Sequence, residues 1–157
     1  MIPEIIEIPS IGVKAPVVPV GVLPDGQMEV PRDTDAVGWY RPGANPGDRG
    51  NAVMAGHVDS KTGPAVFYKL NKLKKGDIIL IRLNGGFTRA FSVKKAVIYR
   101  RDRAPMEQIF GPTGDVNLNL ITCTGTFDKT KGTHQERLVI YAGLKAAHEI
   151  KNRVPPL

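Results

Sequence analysis

The chain has 157 residues, a length that suggests one domain and buries enough surface for a core without disulfides or a structural metal. A single cysteine excludes an intrachain disulfide and any multi-cysteine zinc or iron–sulfur site, and no apolar run approaches the roughly 18 residues of a transmembrane helix. The net charge of +7 would suit nucleic acid, an anionic membrane or an anionic polymer, but the basic residues are dispersed and aromatics are only 6% of the chain. The densest basic cluster, Arg100-Arg101-Asp102-Arg103, is short and contains an acid.

Seventeen glycines and thirteen prolines, without low complexity, argue for many turns and against a helical bundle. The opening Met1-Ile2-Pro3-Glu4 has neither the charged region nor the apolar stretch of a leader, so either the protein is intracellular or a leader or anchor has been trimmed. Glu4–Ile8 alternates in part and reads as a strand. Gly12–Val20 is broken by Pro16 and Pro19, which fit edge strands and bends. Leu23-Pro24-Asp25-Gly26 is a turn, and Met28-Glu29-Val30 a short strand candidate. Ala36–Tyr40 carries the only tryptophan and leads into the loop Arg41–Gly47.

Asn51–Ala55 is a short apolar strand running into Gly56-His57. Apolar residues at 66, 67, 70 and 73 suit a short amphipathic helix over Ala65–Leu73, closed by Lys74-Lys75-Gly76-Asp77. Ile78–Leu83 is a strand and Asn84-Gly85-Gly86 a hairpin turn. Phe87–Tyr99 returns, with Phe87, Ala90 or Phe91, Val93 and Val97 as inward residues. Val116–Thr122 alternates and ends at Cys123; Leu138–Ala142 is a last strand; Lys145–Leu157 has some helical pattern. Seven or eight short strands and one or two short helices predict an all-β barrel or sandwich in a single domain, 1–157.

Cys123 sits where an alternating strand meets a loop, flanked by Thr122 and Thr124. A lone cysteine is otherwise a small buried hydrophobe, but this position suits a nucleophile. His57 also ends an apolar strand, and a cysteine nucleophile needs a nearby base such as histidine. His134 lies in a polar loop and His148 in the tail. Arg137 opens the last strand and reaches Cys123 if the two strands pair, where a guanidinium could steady an oxyanion. Each residue alone has a plain alternative: a packed or surface histidine, a solvated arginine, or Arg137 neutralised by Glu136. No phosphate loop, dinucleotide fingerprint, His-Glu-x-x-His or Gly-x-Ser-x-Gly motif occurs.

Together, Ala55-Gly56-His57, Leu70–Asp77, Leu120-Ile121-Thr122-Cys123 and Arg137 before an apolar strand resemble a sortase over about Ile6–Leu144. The context Ile121–Asp128 looks most like the class F type. The His-Gly-Cys setting of an L,D-transpeptidase is absent around Cys123. The resemblance implies an eight-stranded β-barrel with one or two short helices. It implies a cysteine transpeptidase that cleaves a Leu-Pro-x-Thr-Gly-type sorting signal between Thr and Gly. The expected partners are sorting-signal-bearing secreted proteins and a peptidoglycan precursor amine. The expected place is the extracellular face of a Gram-positive membrane, held by an N-terminal anchor that this sequence lacks. Carried over, Cys123 is the nucleophile, His57 the acid/base, Arg137 the oxyanion stabiliser and Thr122 a substrate contact. No acidic cluster matches the calcium site of some class A members, so neither metal nor cofactor is expected. The rival from another class is a non-catalytic basic β-barrel that binds nucleic acid or an anionic polymer.

Overall fold

The computed structural model describes residues 1–128, 130 and 133–145; for 123–128 and 133 it describes the backbone. Eight strands close into a barrel in the order β1-β2-β3-β4-β9-β10-β8-β7, and β7 pairs back to β1. They are β1 Pro3–Ile8, β2 Val13–Val20, β3 Val37–Tyr40, β4 Gly50–Ala55, β7 Ile78–Leu83, β8 Thr88–Arg100, β9 Val116–Asp128 and β10 Thr133–Leu144. A two-stranded hairpin, β5 Asp59–Ser60 and β6 Gly63–Pro64, stands apart from the barrel. The expected all-β, eight-stranded barrel is the observed architecture, and the β2/β3 and β4/β9 pairings are its two parallel ones.

Alternation puts one face of each strand inside. Ile6, Ile8, Ile79, Ile81, Leu118, Leu120 and Ile140 are all fully buried in the barrel core. Side chains of period two fill a small barrel in this way. The prolines of β2 are accommodated because the strand changes partner halfway. Val13–Pro16 pairs β1, and Val17–Val20 pairs β3. Each half thus has one bonded edge, where a missing N–H is tolerable. Trp39 is buried on β3, and its Nε1–H donates to the Ala44 carbonyl at 3.2 Å.

Several local expectations are corrected. Ala65–Leu73 forms no α-helix: it is a run of turns ending in one 3-10 turn, Leu70–Lys72. Its N–H groups are drawn elsewhere, with Val66 donating to the Thr34 carbonyl and Phe67 to the His57 carbonyl, while later residues close 10-membered turns such as Leu73 N–H to Leu70 O. The apolar spacing still does its work, because Phe67, Leu70 and Leu73 enter the barrel core. The α-helix among the described residues is α1, Met106–Phe110, which carries no periodic signal over its five residues. Phe87 is 51% exposed; it belongs to the β7/β8 turn, and Phe91 and Val93 take the inward places. Met28 makes one bridge, to Val22, and Met28–Val30 forms no strand. The tail beyond residue 145 lies outside the described residues. Among the described residues, no helix is long and apolar enough to cross a membrane.

The two phenylalanines give a direct test of this packing. Phe91→Ala should lower the unfolding free energy by about 3–5 kcal/mol in urea titration, the usual cost of emptying a buried aromatic site. Phe87→Ala should stay within about 0.5–1 kcal/mol, as for an exposed position.

Candidate active site

The site forms where two neighbours of β9 have different lengths. β4 pairs with β9 in parallel only as far as Ala55, opposite Ile121. β10 continues, and places Arg137 directly opposite Cys123. Cys123 is therefore not at a strand end as expected: β9 runs on to Asp128, and β10 starts at Thr133, before Arg137. What ends near Cys123 is the strand on its other side. The chain leaves β4 through Gly56 and His57 at that level, with Gly56 N–H still donating to the Ile121 carbonyl at 3.2 Å.

Thr122 fastens this junction. Its hydroxyl donates to the Gly56 carbonyl at 2.7 Å, and the side chain is only 3% exposed. The bond fixes the peptide that carries His57 against the residue before Cys123. Gly56 itself has no room for a side chain, since an added Cβ would lie 2.8 Å from the Phe67 ring and 2.9 Å from Val66 Cγ1. The segment that was expected to be helical thus packs directly on the backbone before His57.

The half-buried His57 ring is held from the other side. Its Nε2 lies 2.7 Å from the carbonyl oxygen of Pro31, in the stretch between β2 and β3. A carbonyl only accepts, so Nε2 carries the proton and Nδ1 is the ring's acceptor. No sequence signal marks Pro31 for this role, because the contact joins residues far apart in the chain.

Arg137 is half-buried and oriented by backbone. Its Nη1 donates to the carbonyls of His134, at 2.8 Å, and Glu136, at 3.0 Å. Its bond to Glu136 is thus to the main chain. His134 stands at the start of β10 instead of in a loop, and its Nε2 lies 3.3 Å from the carboxylate of Asp59. This pair spans from the residue two after His57 to the residue three before Arg137. The structure therefore brings the elements bearing His57, Thr122, Cys123 and Arg137 to one place. The side chain of Cys123 lies outside the described residues, as does His148.

A cavity of about 390 Å³ opens beside this junction, lined by Val58, Phe67, Tyr68, Lys72, Thr122 and Leu138 among others. Its size is in the range of small-ligand pockets. Among the described residues, no group of three or more His, Cys, Asp or Glu side chains gathers as a metal site.

The junction stands in a closed eight-stranded β-barrel, where the backbone of Cys123 pairs with Arg137 and the chain leaves β4 through His57 at the same level. The sortase-domain family matches residues 6–145. The chain belongs to the sortase family. It is 25% identical to sortase C-1 from Actinomyces oris, covering 91% of this chain and 71% of that one at a TM-score of 0.70. The same fold, at 21% identity, occurs in a Clostridium perfringens sortase D5 transpeptidase, with 92% and 79% covered and a TM-score of 0.68. It also occurs in a lid mutant of sortase A from Corynebacterium diphtheriae, at 21% identity, 93% and 71% coverage and a TM-score of 0.70. A comparison with curated proteins gave no match.

Two measurements check the junction. Thr122→Val leaves the Gly56 carbonyl buried without its donor and should cost about 1–3 kcal/mol in denaturant unfolding, while Thr122→Ser should recover most of it. In ¹⁵N spectra of the neutral ring, His57 should show a protonated Nε2 and a bare Nδ1; the opposite tautomer would mean that the Pro31 contact does not govern the ring.

Proposed function

We propose that this sortase-family protein is a cysteine transpeptidase that uses Cys123, His57 and Arg137 to cleave a Leu-Pro-x-Thr-Gly-type sorting signal between Thr and Gly. The observation that carries the reading is the register of β9 and β10, which makes Arg137 the partner of Cys123. The Thr122–Gly56 bond adds His57 at the same level.

The sulfur of the Cys123 thiolate attacks the Thr carbonyl carbon. Arg137 donates to the oxygen as it becomes negative; a guanidinium already fixed by the His134 and Glu136 carbonyls needs little reorganisation to do so. The tetrahedral adduct collapses, the Thr–Gly C–N bond breaks, and protonated His57 supplies the proton that the leaving amine needs. With Nε2 engaged by Pro31, Nδ1 is the nitrogen that exchanges protons. Protonation of the ring keeps the Nε2–H bond, so the Pro31 carbonyl serves both states. The resulting thioester is then attacked by an amine, which gives its proton to His57 as the sulfur leaves. The acceptor in this reading is a peptidoglycan precursor amine, with water as the poorer competitor.

Thr122 enters this scheme chiefly as a positioning residue. Its hydroxyl is engaged with Gly56, although its side chain also reaches the neighbouring cavity, where it would touch a bound peptide. The Ile121–Asp128 context supports a class F assignment, and the sorting role supports a place on the outer face of the cell membrane.

Intact mass after mixing with a Leu-Pro-x-Thr-Gly peptide tests the reading. An acyl adduct should form on the wild type, be released by hydroxylamine as a hydroxamate, and be absent from Cys123→Ala. His57→Ala and Arg137→Ala should lower turnover by roughly 10²–10³-fold or more, and Arg137→Lys should restore little, because the planar fork is lost. Folded, reduced protein that gives neither adduct nor cleavage with any residue at the variable position would overturn the reading and favour a non-catalytic binding barrel.

A further inference from the structure

A second cavity, of about 420 Å³, lies on the outer face of the same sheet. Its floor is polar, beside the apolar cluster that Val53, Ile109 and Val139 form on that face. Asn117 stands between Asn51 on β4 and Gly143 on β10. One step further along, Asn119, Tyr141 and Lys95 sit side by side on β9, β10 and β8. Asn51 and Asn119 are 7% and 1% exposed. The carboxamides are locked in a network: Asn51 Nδ2 donates to the Gly111 carbonyl at 2.8 Å, Asn117 Nδ2 to Asn51 Oδ1 at 3.1 Å, and Asn119 Nδ2 to the Ile109 carbonyl at 2.9 Å.

These amides also hold α1 over the sheet, and that role alone would account for Asn51 and Asn119. It does not account for the lysines. Tyr141 pairs with Lys95 and Ala142 with Val93, so Lys94 is the extra residue of a β-bulge. Before the bulge, Phe91 and Val93 face the barrel core; after it, Val97 and Tyr99 pack on the outer cluster. The bulge changes the strand's phase and brings Lys94 and Lys95 to the same cavity. Gly143 makes room for this, since a Cβ there would collide with Lys94 Cε. Lys94 Nζ donates to Asn117 Oδ1 at 3.1 Å, and Lys95 Nζ lies 4.9 Å from the centroid of the Tyr141 ring. Among the described residues neither ammonium is paired with a carboxylate, although Glu107 lies in the lining. Two ammonium groups aimed into a cradle of oriented amides suit a carboxylate carried on a scaffold of amides or hydroxyls.

The cavity is separate from the candidate active site. Asn119 precedes Cys123 by four residues on β9, roughly 13 Å of strand. Ile109, 1% exposed, packs on Val53 and Val139 in the stretch between. We infer that this cavity is a second, non-catalytic binding site for a small carboxylate bearing amide or hydroxyl groups, such as an N-acylated acidic dipeptide or an N-acylated sugar acid.

The test uses ¹⁵N-labelled protein and follows the side-chain NH₂ signals of Asn51, Asn117 and Asn119. The probes are N-acetyl-Glu-Ala and N-acetylmuramic acid, with N-acetyl-Gln-Ala and N-acetylglucosamine as their neutral counterparts. Saturable shifts with at least one acid, well above those with its neutral counterpart, are expected, and the stronger acid identifies the source. Lys94→Gln with Lys95→Gln should weaken that binding at least tenfold, with folding and sorting-peptide turnover unchanged. Equal response to acid and neutral probes, binding unaffected by the double substitution, or no saturable shift with any probe would each overturn the inference and leave the amides as supports for α1. Loss of sorting-peptide turnover in the wild type, by contrast, bears only on the catalytic reading.

Discussion

The site rests on β9 having two unequal neighbours. A parallel partner, β4, stops opposite Ile121, and an antiparallel partner, β10, runs past it. The barrel core fixes this arrangement, because Leu118, Leu120 and Ile140 have to face inward together. A one-residue slip of β9 would turn that apolar face to solvent and would also move Cys123 off Arg137. Hydrophobic register and chemical register are therefore one constraint, and the stability of the core holds the reacting groups in place.

The same alternation gives the sheet an outer face with its own chemistry. Val53, Val139, Tyr141 and Ile109 form a second apolar cluster there, with Ile121, Val97 and Phe110 packed against it. Burial and the Tyr99 hydroxyl, 2.9 Å away, push the Tyr141 phenol upward, so it stays neutral at ordinary pH. α1 is too short to be stable alone and stands because Ile109 is buried and asparagine amides meet the carbonyls of Ile109 and of Gly111 just past the helix. Along β10, Tyr141 lines the polar cavity, Val139 belongs to this cluster and Arg137 follows on the same face by alternation, whereas Thr122 faces inward with Leu118, Leu120 and Leu138.

Much of the barrel was legible in the chain. The alternation of Val116–Thr122, the Asn84–Gly86 turn and the apolar run of Leu138–Ala142 each point to the element found. The errors have specific causes. Ala65–Leu73 has helical spacing, but the N–H groups of Val66 and Phe67 are taken by distant carbonyls. Phe87 continues a strand-like pattern yet falls in the turn that precedes it. β9 and β10 run past their apolar patterns, because the polar residues after Cys123 and before Arg137 remain in the ladder between the two strands.

For the candidate site, residue type and local context pointed to His57, Thr122, Cys123 and Arg137. Which strand edges they share depends on ladders between segments distant in the chain. The sequence by itself determined the apolar period, the turns, and the Gly-His and Thr-Cys junctions, because these depend on neighbours within a few residues. Only the tertiary structure decided that Pro31 faces His57, that Thr122 holds Gly56, and that a bulge aims Lys94 and Lys95 at one cavity. Those contacts join segments distant in the chain. They exist because barrel closure sets the distance between strands, and no local pattern carries that distance.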